Sequence, residues 1–246
     1  MLYDAIGVGY GTVRRTDPRI QRHLHGLLGH ASRVLNVGAG AGSYEPTDRL
    51  VVAVEPSAAM IRQRAAGLGP ALRGVADRLP FADGSFDAAM ALLTVHHWPD
   101  PFAGLAELHR VTRGPIVVFT FDKMVHDRQW LVTDYLPSMV ELDVGHPSAA
   151  TIADALGGGV VEVLPIPHDC LDGFCHAWWR RPEAYLDPAV RAGISGIARL
   201  PSEVVDRAMA QLADDLASGA WHRAHRDLLA QDEIDAGYRI VMADQR

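Results

Sequence analysis

A glycine-rich loop between two short apolar runs constrains this chain more than any other feature. Residues 33–42 read Arg-Val-Leu-Asn-Val-Gly-Ala-Gly-Ala-Gly, and a second run, Leu-Val-Val-Ala-Val, ends at Glu55. The pattern predicts a strand, a tight loop and a second strand. Glycine lets a backbone approach a ligand closely and adopt a positive φ, and a carboxylate at a strand end accepts hydrogen bonds from a ribose diol. The segment therefore predicts a nucleoside site, with a tight turn that holds no ligand as the alternative.

The spacing of the glycines narrows the class of ligand. Gly38, Gly40 and Gly42 alternate with alanine and do not follow the Gly-x-Gly-x-x-Gly pattern of dinucleotide folds. Neither Lys-Ser nor Lys-Thr follows them, which excludes a phosphate-cradling P-loop. We therefore expect a nucleoside without a pyrophosphate, and the spacing disfavours the alternative of an NAD(P)-dependent oxidoreductase.

Four segments, in order, resemble the class I (Rossmann-like) S-adenosylmethionine-dependent methyltransferases of the type-11 methyltransferase-domain family. They read Leu-Asn-Val-Gly-Ala-Gly-Ala-Gly from residue 35, Val-Ala-Val-Glu-Pro-Ser-Ala-Ala-Met from 52, Val-Ala-Asp-Arg-Leu-Pro-Phe-Ala-Asp-Gly-Ser-Phe-Asp from 75 and Leu-Thr-Val-His-His-Trp-Pro-Asp from 93. The resemblance covers residues 33–121. It implies an α/β fold with a Rossmann-like, mostly parallel seven-stranded sheet flanked by helices.

The resemblance also implies a reaction. S-adenosylmethionine would be the cofactor and S-adenosylhomocysteine the product, with the methyl group passing by in-line displacement to an O, N or C atom of a small molecule. Because a fold does not fix a function, the alternative is a member of the fold that binds the cofactor without transferring methyl.

The resemblance places the cofactor contacts at the carboxyl ends of the strands, where ligands bind in open α/β sheets. Glu55 would hold the ribose hydroxyls, and Asp77 or the backbone of Ala76 would contact the adenine. Many relatives carry Asp where Val75 and Asn36 stand in this chain, so the pattern is altered at both positions. The complete predicted set of cofactor residues is Tyr10, Arg14, Asn36, Gly38, Ala39, Gly40, Glu55, Pro56, Ala76, Asp77 and Thr94.

The chain has 246 residues, which suits one α/β domain with an insertion. We expect an N-terminal helical lid at 1–30 and a cofactor-binding core at 31–164. A helical substrate cap at 165–235 should follow, inserted before the last strand of the core, which we expect at 236–246. Apolar runs predict strands at 33–38, 50–55, 72–75, 86–94, 115–121, 160–164 and 238–242. Capping residues predict helices that begin after Asp17, Ser57, Asp100 and Ser148. Residues 130–144 form a further helical pattern, interrupted by Pro137.

Two histidines are candidates for general-base catalysis. His97 follows the fourth predicted strand, and an imidazole that titrates near neutral pH suits proton transfer. His168 in the cap is the second candidate. The predicted substrate-binding residues are His96, Trp178 and Trp179, since one of two adjacent tryptophans can face a pocket. The alternative for each of these residues is ordinary packing.

The composition excludes several other classes. The net charge of −7, without a basic stripe, argues against nucleic acid. Two cysteines are too few for a disulfide framework, so we expect a cytoplasmic protein. No apolar run approaches the roughly 18 residues that span a bilayer, and no leader peptide is recognisable. His222 and His225 lack a third ligand at metal spacing, so we expect no metal site.

Overall fold

A seven-stranded sheet forms the centre of the computed structural model, which describes residues 14–245. Its strands are β1 (Arg33–Val37), β2 (Leu50–Glu55), β3 (Ala71–Arg73), β4 (Ala88–Leu92), β5 (Ile116–Phe121), β6 (Val160–Val163) and β9 (Tyr238–Ala243). Two short strands, β7 (Ile166–Pro167) and β8 (Glu233–Ile234), form a separate antiparallel pair. All seven predicted strands are present.

The strand order of the sheet is β3-β2-β1-β4-β5-β9-β6. Strands β1 to β5 run parallel, whereas β9 pairs antiparallel with both β5 and β6. The dinucleotide-binding fold has the order 3-2-1-4-5-6, from which this sheet differs by the insertion of β9. The order reverses between β1 and β4, and ligands bind at the carboxyl ends of strands beside such a reversal. The predicted Rossmann-like fold is confirmed.

Helices cover both faces of the sheet and build the segment before β9. They are α1 (Pro18–Leu27), α2 (Ala58–Arg62), α3 (Pro101–Val111), α4 (Lys123–His126), α5 (Ala149–Ala155), α6 (Pro188–Ala192), α7 (Ser195–Ala198), α8 (Ser202–Ala217), α9 (Ala220–Ala224) and α10 (Arg226–Leu229). Helix α1 packs on one face through Ile20 and Leu24, and α3 and α5 pack on the other through Leu105, Leu108 and Ile152.

The predicted helix starts are confirmed in atomic detail. The side chains of Asp17, Ser57, Asp100 and Ser148 each accept a hydrogen bond from a backbone N–H of the first turn, which satisfies a donor that has no partner within the helix. Helix α2 is short and ends at Arg62. The predicted helical pattern at 130–144 consists of a π-helical turn, Leu131–Tyr135, and a 3-10 helix, Pro137–Glu141, that begins at the proline.

The segment 165–235 has its own apolar centre. Helices α6 to α9 pack against residues 130–139 around Trp130, Tyr185, Leu212 and Trp221. The strand pair β7–β8 joins the two ends of the segment beside the sheet. This insertion therefore forms a helical layer that rests on the connection following β5.

Candidate functional site

A cleft of about 960 Å³, measured to its open mouth, lies at the carboxyl ends of β1, β2 and β4. It brings together most of the predicted cofactor residues: Arg14, Asn36, Gly38, Ala39, Gly40, Glu55, Pro56, Ala76 and Thr94. Tyr10 lies outside the described residues. The topology therefore assembles segments that are up to 80 residues apart in sequence.

The buried carboxylate of Glu55 holds the glycine loop against β2. Its Oε2 accepts the backbone N–H of Gly40 at 2.8 Å, and its Oε1 accepts the backbone N–H of Ser57 at 2.8 Å. Because each carboxylate oxygen accepts more than one hydrogen bond, the same side chain can order the loop and face a ribose diol. The geometry suits the role predicted for Glu55.

The loop passes so close to β4 that its first glycine has no room for a side chain. Gly38 has a φ of +69°, and a Cβ placed there would lie 1.9 Å from Thr94 Oγ1. Gly40 has a φ of +53°, but its Cβ would meet only the terminal methyl of Met60, at 3.3 Å. Gly38 is therefore required by packing, whereas Gly40 is required by backbone conformation.

Asn36 presents a polar atom that fits a ligand. Its Nδ2 donates to Glu45 Oε1 at 2.9 Å, and Arg64 pairs with both oxygens of Glu45 at 2.8 and 2.7 Å. Asn36 Oδ1 is buried and accepts no hydrogen bond within the described chain. Asn36 lines the cleft, and a buried acceptor without a donor is costly, so an amino group such as that of the methionine part of the predicted cofactor fits this position.

A buried ionic cluster closes one side of the cleft. Asp172, from the insertion, accepts hydrogen bonds from Arg14 and from the hydroxyl of Tyr44, whose oxygen lies 2.9 Å from Asp172 Oδ2. Burial and the nearby carboxylate raise the pKa of Tyr44, which keeps its hydroxyl as a donor. Sequence reasoning missed Tyr44 and Asp172, because no local motif marks either of them.

The assignment of Asp77 to the adenine needs correction. Ala76 is buried and lines the cleft, but the turn directs the next side chain outward, and Asp77 is exposed and outside the lining. The part of the cleft nearest to Asp77 in sequence is lined by Gly74, Val75 and Ala76. These residues can contact an adenine ring through their backbone groups and apolar surfaces.

The two tryptophans also lie elsewhere than predicted. Trp179 is 1% exposed in the core beneath the sheet, where its Nε1 donates to the carbonyl oxygen of Ile166 at 3.0 Å. Trp178 packs between two apolar clusters, with the Arg181 guanidinium carbon 4.2 Å from its ring centroid. Neither ring lines the cleft or the cavity next to it. Their large apolar surfaces are used for packing the insertion onto the sheet.

His168 lies at a separate surface cavity and not at the cleft. Its backbone N–H donates to the carbonyl oxygen of Asp232 at 2.9 Å, which extends the pairing of β7 with β8. Arg19 and Asp169 line the same surface cavity. Strand pairing thus holds His168 away from the glycine loop, and the geometry gives it no part in catalysis there.

A second cavity, of about 650 Å³, adjoins the cleft. The two share Arg14 and Leu93 in their linings. Leu93 has a φ of +51°, a strained conformation for a residue with a branched side chain, and its N–H donates to the carbonyl oxygen of Phe119 at 2.7 Å. Such strain is commonly found at functional sites.

The adjacent histidines His96 and His97 line different cavities. They sit on a 3-10 helix, Val95–His97, with ring centroids 3.8 Å apart. His97 lines the cleft, and His96 lines the second cavity. Burial lowers the pKa of His97 to about 4, although the Asp143 carboxylate acts in the opposite direction. His97 is therefore a neutral imidazole near pH 7, the form that accepts a proton.

The sheet order and the cleft together define a Rossmann-like protein with a candidate ligand site at the carboxyl ends of its strands. A family model for the methyltransferase domain matches residues 35–115. A solved structure from Anabaena variabilis ATCC 29413, described as a "putative methyltransferase from antibiotic biosynthesis pathway", is 32% identical, with a TM-score of 0.89 over 94% of this chain and 98% of that one. The chain belongs to the class I, Rossmann-like S-adenosylmethionine-dependent methyltransferase family.

More distant similarities agree with this assignment. A Thermotoga maritima structure, a SAM-dependent methyltransferase described as a "possible histamine N-methyltransferase", shares the fold at 16% identity and a TM-score of 0.52, covering 92% of this chain and 87% of that one. A demethylmenaquinone methyltransferase of Mycolicibacterium vanbaalenii is 41% identical over 85 residues, or 34% of this chain and 35% of that protein. The chain thus matches about a third of that relative's length.

Within residues 14–245, no helix has the length and apolar character needed to cross a membrane.

Proposed function

We propose that this protein transfers a methyl group from S-adenosylmethionine in the cleft to a small molecule in the second cavity. The observation that carries the proposal is that the two cavities meet at Arg14 and Leu93, beside the strand ends that bear the glycine loop and Glu55. When bound, S-adenosylmethionine supplies an electrophilic methyl group on a sulfonium. In the transfer, an electron pair of an acceptor O, N or C atom forms the new bond to that methyl, and the electrons of the broken S–C bond stay on sulfur.

The cleft residues hold the cofactor at both ends. Glu55 accepts hydrogen bonds from the ribose hydroxyls, and Asn36 Oδ1 accepts from the amino group. The backbone of residues 38–40 lies against the methionine part, because all three residues line the cleft. Alignment of the two reactants is the main contribution of such a protein to an in-line displacement.

The insertion forms the acceptor side of the site. Phe174 and Cys175 from the insertion line the second cavity, together with Met139 and Leu142 from the connection after β5. Residues 165–235 thus act as a substrate cap on the core at 31–164, with 236–246 as its final strand. Of the proposed lid at 1–30, the described part reaches the cleft through Arg14, which bonds to Asp172 of the cap.

His97 serves the acceptor. It lines the cleft beside the boundary with the second cavity, and it is neutral near pH 7. For a hydroxyl acceptor, the imidazole orients the O–H and takes its proton as the new bond forms. A neutral amine attacks the methyl group with its own lone pair and needs no base. For such an acceptor, His97 has only a positioning role.

Binding and turnover can be tested separately. Calorimetry should show that the full chain binds S-adenosylmethionine and S-adenosylhomocysteine but not NADH. Untargeted mass spectrometry should then detect, in a host that lacks the protein, a compound lighter by one methylene, which the purified protein converts with release of S-adenosylhomocysteine. If the chain bound NADH but not S-adenosylmethionine, the assignment of the cofactor would be refuted. If it bound S-adenosylmethionine but neither assay detected a methylated compound, methyl transfer would be refuted.

A further inference from the structure

Three side chains that bind transition metals converge at the second cavity. Each of His126, Cys175 and His176 offers one ligand atom, and these three atoms lie within 4.8 Å of one another. His126 ends α4, just after β5, while the other two belong to the insertion. The imidazole centroids of His126 and His176 are 4.0 Å apart, and both His126 and Cys175 line the cavity. The cluster is therefore reachable from the proposed acceptor site.

The hydrogen bond of His176 fixes its tautomer. Its Nε2 lies 3.1 Å from the carbonyl oxygen of His126, and a carbonyl oxygen only accepts, so Nε2 carries the proton. The other nitrogen, Nδ1, then holds a lone pair. A histidine whose second nitrogen donates to a carbonyl is the usual arrangement of a metal ligand.

His126 contributes an unsatisfied nitrogen. Its side chain is about nine-tenths buried, and its Nδ1 has no hydrogen-bond partner within the described chain. It lies 3.6 Å from Asp127 Oδ1, which is beyond hydrogen-bond distance. A buried polar atom left unsatisfied destabilises a fold by about 1–3 kcal/mol, and a metal ion beside this nitrogen removes that cost.

We propose that His126, Cys175 and His176 bind one zinc-type divalent ion whose fourth coordination position opens onto the second cavity. Three protein ligands with one open position are the pattern of catalytic rather than structural zinc sites. Zinc bonds of about 2.0–2.3 Å place tetrahedral ligand atoms roughly 3.3–3.8 Å apart, so the atoms seen here need to move inward by about 1 Å. The Cys175 thiol loses its proton to solvent as its sulfur bonds the metal.

No motif in the sequence indicates this site, and from the sequence we expected no metal. His126 lies 49 residues before Cys175, outside the short spacings by which zinc sites are recognised. Asp127 Oδ1 lies close enough to the His126 ring to support it electrostatically. The open position faces the cavity in which the proposed function places the acceptor, but metal binding itself is independent of methyl transfer.

Co²⁺ and Zn²⁺ titrations of the chelator-treated full chain test the proposal. One equivalent of Co²⁺ should give a thiolate-to-cobalt charge-transfer band in the near ultraviolet, and Zn²⁺ should abolish the band by displacing Co²⁺. Cys175→Ser should remove the band, and both Cys175→Ser and His126→Gln should weaken Zn²⁺ binding by about 100-fold or more. Cys170→Ser is the matched control, because Cys170 is buried in the core beneath the sheet and outside the cluster.

Two results would overturn the proposal. One is a folded wild-type chain that gives no thiolate–cobalt band and binds no Zn²⁺, a result that needs no variant to fold. The other is a band and a Zn²⁺ affinity that persist in Cys175→Ser and His126→Gln, with circular dichroism used to verify that each variant is folded. Neither readout depends on turnover, so failure here is distinguishable from failure of the proposed methyl transfer.

Discussion

Asp172 Oδ1 lies 2.5 Å from Nε of Arg14, although 158 residues separate the two in the chain. Both side chains are almost fully buried, and the hydroxyl of Tyr44 donates to the other oxygen of the same carboxylate. Tyr44 follows the glycine loop, Arg14 precedes α1, and Asp172 belongs to the insertion. One carboxylate thus joins the proposed lid, the proposed cap and the loop that lines the cleft.

Replacement of Asp172 should destabilise the protein strongly. Asp172→Ala leaves the buried Arg14 guanidinium without this carboxylate, and loss of one partner of a buried pair costs about 3–5 kcal/mol. Asp169→Ala is the matched control, because the Asp169–Arg19 pair is largely exposed and should contribute less than about 1 kcal/mol. Urea unfolding measures both changes. Equal losses of unfolding free energy in the two variants would show that the buried cluster stabilises the protein no more than an exposed ion pair does.

Glu55 should be the main determinant of cofactor affinity. Glu55→Ala removes the charged acceptor for the ribose and the hydrogen bond to Gly40, which should cost about 1.5–3 kcal/mol of binding free energy, or roughly 10- to 150-fold in Kd. Asp77→Ala should leave the Kd unchanged, since Asp77 is exposed outside the cleft. Calorimetry with S-adenosylhomocysteine provides both values, and the assignment fails if Asp77→Ala has the larger effect.

Substitutions of the two cleft glycines should have different effects, one chiefly on stability and the other chiefly on cofactor binding. Gly38→Ala drives a Cβ into Thr94 and should lower the free energy of unfolding by more than the roughly 1–2 kcal/mol expected for left-handed backbone alone. Gly40→Val meets only the terminal methyl of Met60, so we expect a variant that still folds, less stable by about 1–2 kcal/mol because of its left-handed backbone, and that does not bind the cofactor. Thermal unfolding and calorimetry distinguish the two effects. A Gly40→Val variant with normal affinity would show that the backbone does not approach the ligand there.

The pH profile of turnover should reflect the unusual environment of His97. Because burial lowers its pKa to about 4, turnover should stay flat from pH 8 to about pH 5 and fall as the pH approaches 4. The groups that surround it are Asp143, which opposes this shift, Arg199 and His146, which add to it, and the adjacent ring of His96. His97→Asn should lower kcat about 10²- to 10⁴-fold for a hydroxyl acceptor, and a much smaller loss would indicate an amine.

His97 should also make the fold sensitive to acid. Its pKa in the folded protein, about 4, lies below the usual 6.5, so the unfolded chain binds more protons between these values. The free energy of unfolding should therefore fall as the pH drops from 6.5 to 4, by roughly 3 kcal/mol from this residue. His97→Asn should make the decline shallower by the share of this residue, while the lowered pKa values of His96, His146 and His176 maintain the rest. His222→Asn, at an exposed position on α9, should leave the slope unchanged. Identical slopes in all three proteins would contradict the burial of His97.

Local signals in the sequence were sufficient for much of the fold and of the cofactor cleft. The strands follow from uninterrupted apolar runs, and the helix starts follow from Asp and Ser side chains that bond their own first turn. The cleft could be predicted because its glycines and Glu55 lie within a single strand–loop–strand unit. Such features are local, so they depend little on the rest of the chain.

Residues whose role depends on distant contacts were not predictable in this way. Trp179 and Trp178 have the character of pocket residues, but their partners, such as the Ile166 carbonyl oxygen, are set by how the insertion meets the sheet. The cluster of His126, Cys175 and His176 joins two segments that no motif connects. At the third motif, Ala76 is buried in the cleft lining, whereas the next residue, Asp77, is exposed at the surface. The sequence motif does not reveal which of two adjacent side chains faces the cleft.

The position of β9 has a consequence for how the chain reaches its folded state. Residues 238–243 pair with β5 on one side and β6 on the other, yet the ribosome makes them after every other strand of the sheet. Until they emerge, β5 has one unpaired edge and β6 has no partner in the sheet. Unpaired strand edges are the surfaces through which nascent chains aggregate and which chaperones shield. This sheet can therefore be completed only after all its other strands have been made, and a lesion in β9 would leave it open between β5 and β6.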